Sequence, residues 1–200
     1  WQTHWTQNPA VAIPCRFESG LRHQIKETKD FDNGILGFLL LKESEVTYIP
    51  NTNWSILSSQ QLGRYAEYYS KMEFASYGFE VYTSEVDDHG IDFIAKTKSG
   101  VFLEIQVKSI RKLSYVFVQK EKWNIESPNT YLALLIFEDG KFPESYLIPA
   151  TAWETPNELF CDRDYVGLKS KLEYGLNISK KNMKLLQEYK MEDVIKRLQG

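Results

Sequence analysis

From Gly90 to Ser109 apolar and polar residues alternate with period two, interrupted only at Lys98-Ser99-Gly100. Period two marks a strand with one buried face, and a Lys-Ser-Gly interruption carries turn chemistry. The stretch predicts a β-hairpin. Ile91, Phe93, Ala95, Val101, Leu103, Ile105 and Val107 fall on one face, the core face. Asp92, Ile94, Lys96, Phe102, Glu104, Gln106 and Lys108 fall on the other. A three-residue loop with Gly100 in the left-handed region sets Thr97 against Val101, and therefore Asp92 against Gln106. A two-residue loop would set Asp92 against Val107 and mix the faces, so burial selects the first register. Opposed side chains share a face with about 5 Å between their Cβ atoms. Asp92, Gln106 and Lys108 thus converge, although the wet face of an ordinary antiparallel sheet gives the same alternation.

Upstream, the spacing predicts a helix from Ser58 to Tyr77, with Ser58 and Gln61 as a capping box and Gly78 just past the end. Leu62, Tyr65, Ala66, Tyr69, Met72 and Ser76 form its expected packing stripe. Glu67 shares a second face with Gly63, Ser70 and Phe74, which puts it at an edge between helix and sheet or in solvent. Phe79–Thr83 reads as a strand, and Asp87-Asp88-His89-Gly90 as a turn in which His89 is a turn residue rather than a base. Arg111-Lys112 opens a loop, and strands follow at Tyr115–Gln119, Thr130–Glu138 and Ser145–Ile148, the last two separated by a Glu138-Asp139-Gly140 turn. A short helix from Ala150, loop charge at Asp162-Arg163-Asp164, a helix capped by Ser179 running through Tyr189, and an amphipathic helix over Met191–Leu198 complete the pattern. This order predicts an α/β domain over residues 56–200 with a mixed central sheet flanked by helices. Residues 1–55, punctuated by Pro9, Pro14, Gly20, Asn33-Gly34 and Pro50, read as an N-terminal extension of unassigned role, with one buried segment at Gly34–Lys42.

Composition narrows the function classes. A net charge of −3 over 200 residues supplies no general basic field for indiscriminate nucleic-acid binding. Cys15 and Cys161 are far apart, and His4 and His23 lack partners at metal-ligand spacing, so reduced thiols in a cytoplasmic protein are expected. The longest apolar run, Ile35–Leu41, is too short to span a bilayer, and no membrane partner is expected. The chain begins at Trp1 with its first methionine at Met72, which reads as a fragment, a processed chain or an uncertain start.

Gly-Ile-Asp-Phe-Ile-Ala at 90–95, a short turn, and Leu-Glu-Ile-Gln-Val-Lys-Ser at 103–109 resemble the PD-(D/E)XK nuclease superfamily. The restriction-endonuclease-like and Holliday-junction-resolvase-like branches, where Gln can replace the acid two residues before Lys, are the nearest in pattern. Leu62-Gly63-Arg64-Tyr65-Ala66-Glu67 resembles that family's first helix with its acidic residue. The resemblance covers residues 58–150 and implies a restriction-endonuclease-like core and a Mg²⁺-dependent DNA endonuclease, with Mn²⁺ able to substitute. Within it Glu67, Asp92, Gln106 and Lys108 take the catalytic positions. Asp92, the Gln106 amide, the Val107 carbonyl and Glu67 become the oxygen donors that a hard cation wants. Glu104 is a further candidate, and Arg111 and Lys112 are candidate phosphate contacts, followed by Lys120 and Lys122. Two departures stand out: no proline precedes Asp92, and Gln106 occupies an acid position, leaving the cage one charge short. A nuclease-like fold kept as a nucleic-acid-binding or protein-interaction module without catalysis is the alternative, and a purely structural domain the third. Cutting both strands of a duplex asks for two sites, so a homodimer is expected.

Overall fold

The computed structural model describes residues 50–83, 90–165, 167 and 170–199. The Gly34–Lys42 segment, His4, His23, Cys15 and the Asp87-Asp88-His89 part of the predicted turn lie outside the described residues.

Glu80–Tyr82 (β1), Phe93–Lys96 (β2) and Phe102–Ile110 (β3) form an antiparallel meander. The hairpin adopts the register that burial demands, with Phe93 against Ile105 and Lys96 against Phe102. Gly100 has a φ of 90°, and the Thr97 N–H donates to the Val101 carbonyl at 2.8 Å. Tyr115–Gln119 (β4) leaves this sheet and runs into a 3-10 turn, Lys120–Lys122. Thr130–Ile136 (β5) returns parallel to β3, and Glu144–Pro149 (β6) pairs antiparallel with β5. The resulting sheet is mixed, in the order β1-β2-β3-β5-β6. Strand β5 is interior, between β3 and β6, and buried along its whole length, which is why it reads as an unbroken apolar run.

Helix Ser59–Ser76 (α1) starts at the expected capping box: Ser58 Oγ accepts the Gln61 N–H, and Gln61 Oε1 accepts the Ser58 N–H at 2.8 Å. Its buried stripe differs from the expected one. Leu62, Ala66, Ser70 and Phe74 are buried at four-residue intervals, whereas Met72 and Ser76 are exposed and Tyr65 and Tyr69 lie at the margin. A residue two positions from both Ser70 and Phe74 faces away from them, so choosing the i+4 ridge turns Met72 out. Phe74 packs edge-on against Phe79 and Phe93, fixing α1 on the sheet face that carries Phe93, Ala95, Leu103 and Ile105. Val101, expected on the same face, is exposed because it belongs to the hairpin tip. Trp54 is buried between Tyr65 and Phe137 and donates its Nε1–H to the Lys141 carbonyl, so packing begins ahead of residue 56.

The opposite sheet face is covered by a second, three-stranded sheet in the order β4-β8-β7, with Phe160–Arg163 as β7 and Glu173–Asn177 as β8. The Asp162-Arg163-Asp164 segment is therefore largely strand, not loop. Asp162 and Asp164 both take the Lys120 ammonium, which neutralises a run that reads as loop by charge alone. The expected helix from Ser179 to Tyr189 is reduced to Met183–Leu186 (α2) and a 3-10 turn at Gln187–Tyr189. Met191–Gln199 (α3) is the expected amphipathic helix, burying Met191, Val194 and Ile195 beside α1. No described helix is long and apolar enough to cross a membrane. Cys161 carries a free thiol.

Candidate metal and nucleic-acid site

The chemistry-bearing residues gather where β2 and β3 part. The β2–β3 ladder closes at Phe93 and Ile105, after which the Asp92 N–H donates to the Ile105 carbonyl at 2.9 Å. Beyond that point β3 continues alone on this side, and its next edge donor, the Val107 N–H, needs an acceptor. Asp92 supplies it: Oδ2 accepts the Val107 N–H at 2.6 Å. A hydrogen bond this short to a carboxylate is charge-assisted and fixes the side chain in the fork. Residues of a strand present N–H and C=O to the same edge, so the Val107 carbonyl opens on the Asp92 side as well.

Gln106 and Lys108 project from β3 on the face away from α1. Both line a cavity of about 310 Å³ with Gly90, Phe117 and Lys122. Gln106 also lines an adjoining cavity of about 440 Å³ with Glu104, Lys120, Trp123 and Thr130. Gly90 keeps the passage between the two tight. It has a φ of 75°, and a Cβ there would sit 3.0 Å from the Gln106 side-chain nitrogen. Glu104 is the fixed carboxylate of this groove: the Thr130 hydroxyl, itself buried, donates to Glu104 Oε2 at 2.9 Å.

The structure thus brings Asp92, Gln106, Val107 and Lys108 to one place and adds Glu104 two residues along β3. Glu67 lies on α1, 20% exposed, and accepts from Arg64 at 2.6 Å. Arg111 is committed elsewhere. Its guanidinium donates to the Trp54 and Leu57 carbonyls, tying the chain before α1 to the end of β3. Lys112 is exposed and shares a separate cavity with Ser59, Ser109 and Arg111. Thr130 carries no motif of its own and reaches the site because β5 pairs in parallel with β3, which sets it against Glu104. The wall formed by β4 and the 3-10 turn, of which the sequence offered only Lys120 and Lys122, is brought there by the second sheet closing over β3.

Among the described residues no three His, Cys, Asp or Glu side chains cluster closely enough to hold a metal ion. The donors at the fork are one carboxylate, one side-chain amide and one backbone carbonyl. That set fits a magnesium ion held mainly by a single carboxylate and completed by water and a substrate phosphate, since Mg²⁺ dehydrates reluctantly. It does not fit an all-protein cage. Lys120, at the far wall, titrates high. Burial alone would lower its pKa, but hydrogen bonds to Asp162 and Asp164 outweigh that effect.

No family model matches the chain, and no curated protein matches it. Solved structures similar to it include the following two. One is Hjc, a Holliday junction resolvase from the archaeal hyperthermophile Archaeoglobus fulgidus, 10% identical over 67% of this chain and 95% of its own, with a TM-score of 0.43. The other is a bacterial homing endonuclease, 15% identical over 68% of this chain and 96% of its own, with a TM-score of 0.38.

Proposed function

We propose that this chain is a Mg²⁺-dependent endonuclease that hydrolyses phosphodiester bonds in DNA at the β2–β3 fork. The observation that carries the reading is the seating of Asp92 on the Val107 N–H, with Gln106 and Lys108 on the adjoining face of β3. Asp92, the Gln106 amide oxygen and the Val107 carbonyl would hold the ion. When bound, Mg²⁺ supplies Lewis acidity towards the phosphate and lowers the pKa of a coordinated water. The residues of the chain do the rest. Asp92 is oriented before substrate arrives, so no reorganisation is needed as charge develops. Lys108 makes no ion pair among the described residues, which leaves its ammonium available to the attacking water and to charge building on the phosphorane. A homodimer would place a second copy of the site on the opposite strand.

A second reading, a nuclease-like module that binds nucleic acid without cutting it, is favoured by two features. Gln106 stands where the resemblance implies an acid, and Glu67 is held by Arg64. Plasmid and oligonucleotide cleavage in Mg²⁺, in Mn²⁺ and in chelator separates the two, with RNA run in parallel. Metal-dependent nicking lost in chelator and in Asp92→Asn supports the nuclease; DNA binding without cleavage under every metal condition supports the module.

A further inference from the structure

The 3-10 turn Lys120–Lys122 forms the wall of the groove opposite β3, and it carries three charges. Two are neutralised within the fold: Lys120 sits between Asp162 and Asp164, and Glu121 pairs with Lys171 at 2.6 Å. The third, Lys122, makes no ion pair among the described residues, although Lys96, Lys171 and Lys190 elsewhere each sit on a carboxylate. Its stem is also placed. A Cβ on Gly90 would lie 3.5 Å from Lys122 Cδ and 3.8 Å from its Cβ, so the side chain runs along the backbone two residues before Asp92. Lys122 lines both adjoining cavities, across from Gln106. The two halves of the groove differ in charge: Lys108 belongs to one, and Glu104, fixed by Thr130, belongs to the other.

From this geometry we propose that Lys122 is a substrate-binding residue, holding a backbone phosphate of the nucleic acid on the Lys108 side of the groove, next to the phosphate at the fork. The proposal rests on the nucleic-acid reading of the site. An exposed lysine stem packed on backbone keeps its ammonium in water until an anion arrives, so the contact is ion exchange on phosphate and carries no base preference. The Glu104 half repels a second phosphate and leaves Lys122 and Lys108 as the pair that fixes where the strand crosses β3.

Equilibrium binding in EDTA, where nothing is cut, tests this. Fluorescence anisotropy with a labelled DNA duplex is followed against salt for the parent, Lys122→Gln, Lys122→Arg and the remote Lys141→Gln. One phosphate contact contributes a slope of about 0.9 in log K against log salt, equivalent to roughly eightfold in affinity between ~1 M and ~0.1 M salt. Lys122→Gln is expected to lose that increment and lower the slope by about one, with Lys122→Arg and Lys141→Gln matching the parent. Lys122→Gln binding with the parent's affinity and slope overturns the assignment of Lys122 alone. A parent that neither binds DNA or RNA in EDTA nor cuts either of them in Mg²⁺ overturns it together with the nucleic-acid reading.

Discussion

A carboxylate on the polar face of a hairpin is ordinarily dispensable for folding, and Asp92 is not ordinary in this respect. Its Oδ2 replaces the backbone acceptor that β2 would have supplied had it continued past Phe93. Asp92→Ala leaves the Val107 N–H without that acceptor in a half-buried position. Hydrogen bonds to charged groups contribute about 1.5–3 kcal/mol, and partial exposure puts this one towards the lower end, about 1.5–2 kcal/mol. With a urea m-value of about 2 kcal/mol/M, the unfolding midpoint falls by about 0.8–1 M. Asp92→Asn is the discriminating partner, because its amide oxygen can still accept. A neutral acceptor retains roughly half of a charge-assisted bond, so the Asn variant should unfold about midway between parent and Ala. Urea unfolding by circular dichroism reads the stability, and plasmid nicking in Mg²⁺ reads the chemistry. Both variants lose the carboxylate charge, so both are expected to lose metal-dependent cleavage. An Ala variant as stable as the parent would show that the Val107 bond contributes nothing. An Asn variant that nicks at the parent's rate would remove the Asp92 charge from the mechanism.

Three further outcomes follow from the same geometry. Ile105→Asp puts a carboxylate without a partner on the fully buried face beneath α1 and should unfold the domain, costing several kcal/mol; a soluble variant with native circular dichroism would mean the two hairpin faces are misassigned. Gln106→Glu should tighten Mn²⁺ binding measured by calorimetry and Gln106→Leu should weaken it. Equal affinity in all three proteins would transfer the ligand role to Glu104. Gly175→Ala should cost about 1–3 kcal/mol, because the Tyr115 hydroxyl lies 1.9 Å from where the new Cβ would sit and is held there by Glu173 at 2.7 Å. In a Tyr115→Ala background most of that extra cost should vanish, and strictly additive losses would mean that Tyr115 is not the obstacle.

What the sequence made legible, and what it hid, follows from how each element is stabilised. The hairpin and α1 are local: the turn residues of Lys98-Ser99-Gly100 and the Ser58–Gln61 capping box act on their own neighbours, so their signals survive without tertiary context. The stripe on α1 is not local. Leu62, Ala66, Ser70 and Phe74 mix two large residues with two small ones, and only the sheet beneath selects that ridge over the one through Met72. Strands β7 and β8 were hidden for another reason. In β7 only Phe160 is buried, and in β8 a buried Glu173 opens the strand through hydrogen bonds from Tyr115 and Tyr165. Neither stretch shows an alternation, because side chains far away in sequence satisfy its polar groups. Asp92, Gln106 and Lys108 could be grouped from period and register alone, but Lys122 joins them only through the second sheet.

The charge at the fork bears on how metal and substrate would depend on one another. With Gln106 in an acid's place, Asp92 is the one carboxylate that the Val107 N–H orients, and Glu104 is engaged by Thr130 at the other end of the groove. A cation held by so little negative charge gains much of its remaining coordination from a substrate phosphate. Metal and nucleic acid are then linked ligands: whatever factor the phosphate adds to metal affinity, the metal returns to nucleic-acid affinity. In the proposed roles Lys122 and Lys108 would strengthen the phosphate side of that linkage without placing a positive charge among the metal's own donors. On this reading Gln106→Glu does more than tighten the metal. It satisfies the ion before substrate arrives, so the variant should hold Mn²⁺ well on its own and gain less from added DNA than the parent does. On the same reading the neutral amide at position 106 would keep the site weakly charged until a phosphate completes it.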